Sequence, residues 1–117
     1  MTEPLFRRGQ RRFNIYCAPC HGLDGSGNGI VAQRARDKTE IASGWVPPLS
    51  LHEQTVRDRP VGHLFNTITN GIRTMPPYGD QISPADRWAI IAYVRALQRS
   101  QQARLEDVPP ELRSELR

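Results

Sequence analysis

Two thiols and an imidazole stand within five residues of one another in Cys17-Ala18-Pro19-Cys20-His21. Cysteines two apart, followed at once by histidine, form the covalent attachment signature of a c-type haem. The spacing has a chemical reason. Residues 17 and 20 fall close to one helical turn apart, so both sulfurs can reach the vinyl-derived carbons on one porphyrin edge. His21 then projects over the ring centre and supplies the proximal iron ligand. The chain holds no other cysteine, which leaves no thiol for a further bridge or cluster.

Other chemistries for the motif are weaker. A Cys-X-X-Cys redox pair expects a strand ahead of it and a βαβ pattern around it, and neither is visible. A structural zinc site needs four ligands, for which the chain could offer Cys17, Cys20, His21 and one of His52 or His63. For the second axial position the sequence offers Met75, in Gly71-Ile72-Arg73-Thr74-Met75-Pro76-Pro77-Tyr78. A methionine in a proline-stiffened loop between two helices is oddly placed for a core residue. Its soft, neutral thioether favours ferrous iron and raises the potential. Met1 is terminal and unsuited. His52 and His63 could ligate instead, although surface or polar-network roles suit both better.

Helices must position these groups. Leu5, Gly9, Phe13 and Tyr16 share a face, which predicts a helix from Pro4 to about Cys17. Arg7, Arg8, Arg11 and Arg12 form like-charge i,i+4 pairs on its other side, each costing a few tenths of a kcal/mol unless a partner relieves it. The run Asp24-Gly25-Ser26-Gly27-Asn28-Gly29 reads as a tight loop against the haem edge; no lysine follows that would make it a phosphate cradle. Residues 30 to 59 show no clear periodicity, and Val46-Pro47-Pro48-Leu49 reads as extended. Pro60 opens a short helix carrying Leu64, Phe65 and Ile68, with Gly71 just past its end; Leu64 and Ile68 are expected against the cofactor. Ser83 is the N-cap and Pro84 the first residue of a last helix reaching about Arg104. Its apolar stripe is Ile90, Tyr93, Val94 and Leu97. The fold expected is all-α, three to five helices and irregular loops around one covalent haem.

At 117 residues the chain suits a single domain with a modest core, which an apolar porphyrin would enlarge. Residues 1–100 are expected to form that domain and 101–117 a charged C-terminal extension. The hydrophobic share is 38% and the mean hydropathy −0.57. No apolar run approaches the ~18 residues of a membrane span. The formal charge is +4, and arginine supplies every basic residue except Lys38. No basic stripe is interleaved with aromatics, so nucleic acid is not an expected partner. The start Met1-Thr2-Glu3-Pro4 lacks the pattern of a signal peptide. Since bacterial c-type haem is attached outside the cytoplasmic membrane, the chain is expected to be a processed form. Its expected place is the periplasm or the outer face of that membrane, peripheral or held through a segment missing here.

The chain resembles class I c-type cytochromes over roughly residues 4 to 100. In that family a glycine and an aromatic precede the first haem cysteine by eight and four residues, here Gly9 and Phe13. The resemblance implies that they pack on an aromatic of the last helix, matched by Tyr93, with Ile90 and Leu97 beside it. It also implies a proline carbonyl on the proximal histidine's other ring nitrogen. Pro47 fits best through Pro47-Pro48-Leu49, with Pro48 the alternative. More narrowly, Arg12-Phe13-Asn14-Ile15-Tyr16, Gly62-His63-Leu64-Phe65, Ile68-Thr69-Asn70-Gly71 and Asp86-Arg87-Trp88-Ala89-Ile90-Ile91-Ala92-Tyr93 resemble the monohaem cytochrome subunit of bacterial alternative complex III. That membrane assembly oxidises quinol and passes electrons toward an oxidase.

The function these features imply is electron transfer through a haem c ligated by His21 and Met75, with no substrate of its own. Its partners would be redox proteins: other subunits of a membrane respiratory complex, and a terminal oxidase or soluble cytochrome. The arginines of the first helix and the tail 99–117 are expected to dock on such neighbours, the arginines against carboxylates. A free periplasmic carrier and a peroxidase-like haem enzyme are the alternatives; no distal His–Arg pair favours the latter.

Overall fold

The computed structural model describes residues 2–37, 47–101 and 109–115. Over these it holds six α-helices, α1 (Glu3–Tyr16), α2 (Ala18–His21), α3 (Ile30–Asp37), α4 (Gln54–Arg57), α5 (Val61–Asn70) and α6 (Pro84–Ser100), and a 3-10 helix at Pro110–Glu115. No strand is found among the described residues; a lone bridge joins Ile72 and Met75. The all-α expectation holds, and the count exceeds five because α2 and α4 are single turns of four residues.

Local chemistry sets the ends of the longer helices. Thr2 Oγ1 accepts from the Leu5 amide at the start of α1, with Pro4 in the first turn where no backbone donor is needed. Ser83 does the same for Asp86 at the head of α6. α5 ends at Gly71, whose φ of 77° is open to glycine.

The core forms where α1 crosses α6. Gly9 removes the side chain that would separate them: a Cβ there would lie 2.1 Å from the Ala89 carbonyl oxygen and 3.1 Å from Tyr93 Cβ. Phe6 and Phe13 each pack on the Tyr93 ring, with centroids 5.3 Å apart in both pairs, as the resemblance implied for Phe13. Phe6 takes the place expected for Leu5, which is 39% exposed. Ile90, Tyr93 and Val94 are buried and Leu97 packs partly buried against them.

Arg8 and Arg12 do not await a neighbour. Arg8 donates to both carboxylate oxygens of Asp86, at 2.6 and 3.0 Å, and Arg12 lies 3.5 Å from the same group. Arg7 pairs with Glu3 one turn back. The expected arginine docking face is thus corrected for these residues: their carboxylates come from the chain itself, and Asp86 relieves the like-charge cost along α1.

Two further expectations change. The stretch 30 to 59 holds α3 and α4, and α6 ends at Ser100. The rest of the helix foreseen to Arg104, and of the extension at 102–108 and 116–117, lies outside the described residues.

Candidate cofactor cavity

The motif begins where α1 stops. The Cys17 amide closes α1 by donating to Phe13 O, and the Cys17 carbonyl accepts from the amides of both Cys20 and His21. This turn gathers both thiols and the imidazole on one wall of a cavity. Cys17 is buried and Cys20 and His21 are partly so.

The glycine loop braces this turn from behind instead of bordering the cavity, as was expected of it. Gly27 donates to His21 O at 2.7 Å and Gly29 to Cys20 O at 3.0 Å. A Cβ on Gly29 would sit 2.3 Å from the Pro19 carbonyl oxygen, so only glycine allows that approach.

The cavity opens to solvent at its mouth. Its walls are mainly apolar. Phe13 and Tyr16 come from α1, Leu64 and Ile68 from α5, and Ile90, Ile91 and Val94 from α6. Pro47, Pro48, Leu49 and Leu51 close one side, and Met75, Pro76 and Tyr78 another. All seven residues singled out from sequence, Cys17, Cys20, His21, Pro47, Leu64, Ile68 and Met75, therefore line one space. His52 and His63 do not: His52 Nε2 lies 2.6 Å from the Asp24 carbonyl oxygen, and exposed His63 faces Thr67.

Met75 arrives through a tight turn. Ile72 and Met75 exchange backbone hydrogen bonds of 3.2 and 2.8 Å, with Arg73 at a left-handed φ of 51° between them. Gly71 permits the fold-back, since its Cβ would lie 2.5 Å from Met75 O. Beyond the prolines, Tyr78 and Gly79 donate to Ile68 O and Thr69 O. Buried Arg87 fastens this return through Ile82 O, Gly79 O and Thr69 Oγ1.

The opposite loop is held from α6. Arg95 donates to the carbonyls of Arg57 and Arg59, and Gln98 Nε2 to Leu51 O at 2.7 Å. The loop thereby turns Leu51, Val56 and Arg59 to the cavity.

Burial sets the protonation of the motif. It pushes the Cys17 thiol up to about 12 and raises Cys20, so both stay thiols at neutral pH. It lowers His21, which keeps the imidazole neutral and able to ligate. His21 Nδ1 is buried without a hydrogen-bond partner. The proline-carbonyl bond implied for it is not formed, although Pro47 and Pro48 both line the cavity. Pro48 turns its carbonyl to Gly27, where a Cβ would approach to 2.8 Å.

Sequence reasoning, which expects the loop Met75 to Tyr78 at the haem edge, missed Arg59 and Thr67, which reach the cavity only because distant segments converge. No Asp or Glu is among the described residues that line it, whereas Arg59 and Arg73 do. Arg57, which is not among the lining residues, has its Nε buried with no acceptor. The donor set fits a flat, apolar, acid-bearing group held through sulfur and imidazole. It does not fit zinc, for among the described residues no three His, Cys, Asp or Glu cluster to hold an ion.

A family model described as cytochrome c oxidase, cbb3-type, subunit III matches residues 4–94. The chain belongs to this family. It is thus a c-type cytochrome domain, an electron-transfer protein and not an enzyme, which sets aside the peroxidase-like alternative. The match takes in the α1–α6 crossing, the Cys-X-X-Cys-His turn and the Met75 loop of the cytochrome. No curated protein matches the chain. No helix among the described residues is long and apolar enough to cross a membrane.

Proposed function

We propose that this cytochrome relays single electrons through one haem c, held by Cys17 and Cys20 and ligated by His21 and Met75. The observation that carries the reading is convergence: both thiols, the imidazole and the Met75 loop, 54 positions beyond His21 in the chain, line the same cavity. When bound, such a group supplies a ferric/ferrous couple. Cys17 and Cys20 would hold it by adding each S–H across a vinyl C=C to form a thioether. His21 is neutral and partly buried, so it can donate a ring-nitrogen lone pair. Gly71, the Ile72–Met75 turn and Arg87 fix the loop that carries the thioether sulfur of Met75, and a soft ligand favours the ferrous state. The apolar walls exclude water, while Arg59 offers donors to acidic substituents.

The setting we propose is the outer face of the cytoplasmic membrane, within a quinol-oxidising assembly of the alternative complex III type. The sequence strings named above support it. Electrons would pass onward to a terminal oxidase or soluble cytochrome.

Acid–acetone extraction and Met75→Ala test the ligation together. The pigment should resist extraction from both proteins. The variant should show a lower potential, loss of the near-infrared sulfur-to-iron band and new binding of carbon monoxide. Extractable haem would sink the attachment, and an unchanged potential would sink the role of Met75. Co-purification of the native protein with a membrane quinol oxidase tests the assembly, and recovery only as a free protein would refute it.

A further inference from the structure

Arg73 is the one described non-glycine residue with a left-handed backbone. It sits at the first corner of the two-residue turn closed by Ile72 and Met75, a position that favours glycine, asparagine or aspartate. An outlier at such a place is a pointer to function. Nothing among the described residues rewards arginine there. Its side chain is exposed, and no ion pair or hydrogen bond engages it. By contrast, Arg87 and Arg95 are spent on carbonyls inside the fold, and Arg8 and Arg12 on Asp86. Arg73 lines the cavity together with Leu49 and Ile72, which remain 42% and 38% exposed.

We infer that Arg73 is the docking cation at the cavity mouth, where it meets a carboxylate of an electron-exchanging protein while Leu49 and Ile72 make the apolar contact around it. Charge complementarity selects the partner: no carboxylate lines this rim among the described residues, and an arginine flanked by apolar groups suits bidentate capture of one. The strained corner holds the guanidinium beside the loop that delivers Met75. The inference rests on the reading that this cavity holds the haem.

Stopped-flow oxidation of the ferrous holoprotein tests it. Each reaction passes one electron and no atom, with hexacyanoferrate(III) going to hexacyanoferrate(II), a cationic cobalt(III) phenanthroline complex to cobalt(II), or an acidic cupric blue-copper protein to its cuprous form. At low salt Arg73→Gly should slow the anionic reagent and the acidic protein by roughly three- to tenfold and speed the cationic reagent. Arg73→Lys should recover most of the loss. Arg11→Gln, on the far face of α1, should change little.

Rates for Arg73→Gly equal to those of Arg11→Gln, with haem in place, overturn the docking role. So does a lost near-infrared band in Arg73→Gly, because residue 73 would then serve only to position Met75. Absence of covalent haem from the wild-type protein would strike instead at the reading of the cavity.

Discussion

A single missing side chain sets how closely the two main helices approach. Gly9→Ala gains about 1 kcal/mol of helix propensity, yet its methyl would lie 2.1 Å from a backbone oxygen of Ala89. A backbone atom inside a helix cannot swing aside as a flexible side chain does, so α1 and α6 must separate. Overpacking of this kind costs about 1–3 kcal/mol, occasionally more, and here the cost wins. Denaturant unfolding of the holoprotein should show a net loss of roughly 1–2 kcal/mol. A stabilised variant would mean that the crossing is looser than the structure has it. The same contact fixes Phe13, 1% exposed, one turn before the cysteine whose thiol faces the cavity.

Between elements, the joint that matters is Asp86 at the head of α6, bound by Arg8 and approached by Arg12 of α1. The Arg8 guanidinium hydrogen-bonded to it holds the carboxyl below the usual carboxylate range. For a depressed acid the stabilisation is complete above the unfolded value, about 3.9 for aspartate, and is lost as pH falls through the folded value. Asp86→Asn should therefore melt below the wild type at pH 7, and the gap should close progressively below about pH 4. A gap that stays constant from pH 7 to pH 2.5 would show that the charge contributes nothing. Since α1 carries the attachment turn and α6 carries Arg87 and Arg95, which pin the two loops, this joint aligns both sides of the cavity.

At the scale of the molecule, the core is built around the apolar cavity proposed for the cofactor. Phe13, Leu64, Ile68, Ile90, Ile91 and Val94 all turn toward it, and without a group between them they lose contacts that no rearrangement of short helices replaces. The Cys17→Ala, Cys20→Ala double variant should keep much of its helical far-ultraviolet signal. It should lose sharp calorimetric unfolding and bind a hydrophobic dye. A cooperative transition at the holoprotein's midpoint would mean that the chain packs its core unaided.

The sequence by itself determined what depends on near neighbours: the Cys17–His21 turn, the Thr2 and Ser83 caps, Gly71 ending α5, and the buried stripe of α6. Each signal is complete within about one or two helical turns. α3 escaped notice because its pattern is inverted. Ala32 is fully buried while Ile30 and Val31 are 55% and 44% exposed, so hydrophobic size misreports the inward face. Only the tertiary structure decided which distant groups meet. Charge counting offered Arg8 and Arg12 to a partner, and the fold gave them Asp86, 78 and 74 positions away. Nothing in the stretch from 51 to 59 says that Arg95 and Gln98 will hold it or that Arg59 will face the cavity. Such pairings are settled by which surfaces pack together, and packing joins residues whose separation along the chain carries no local signal.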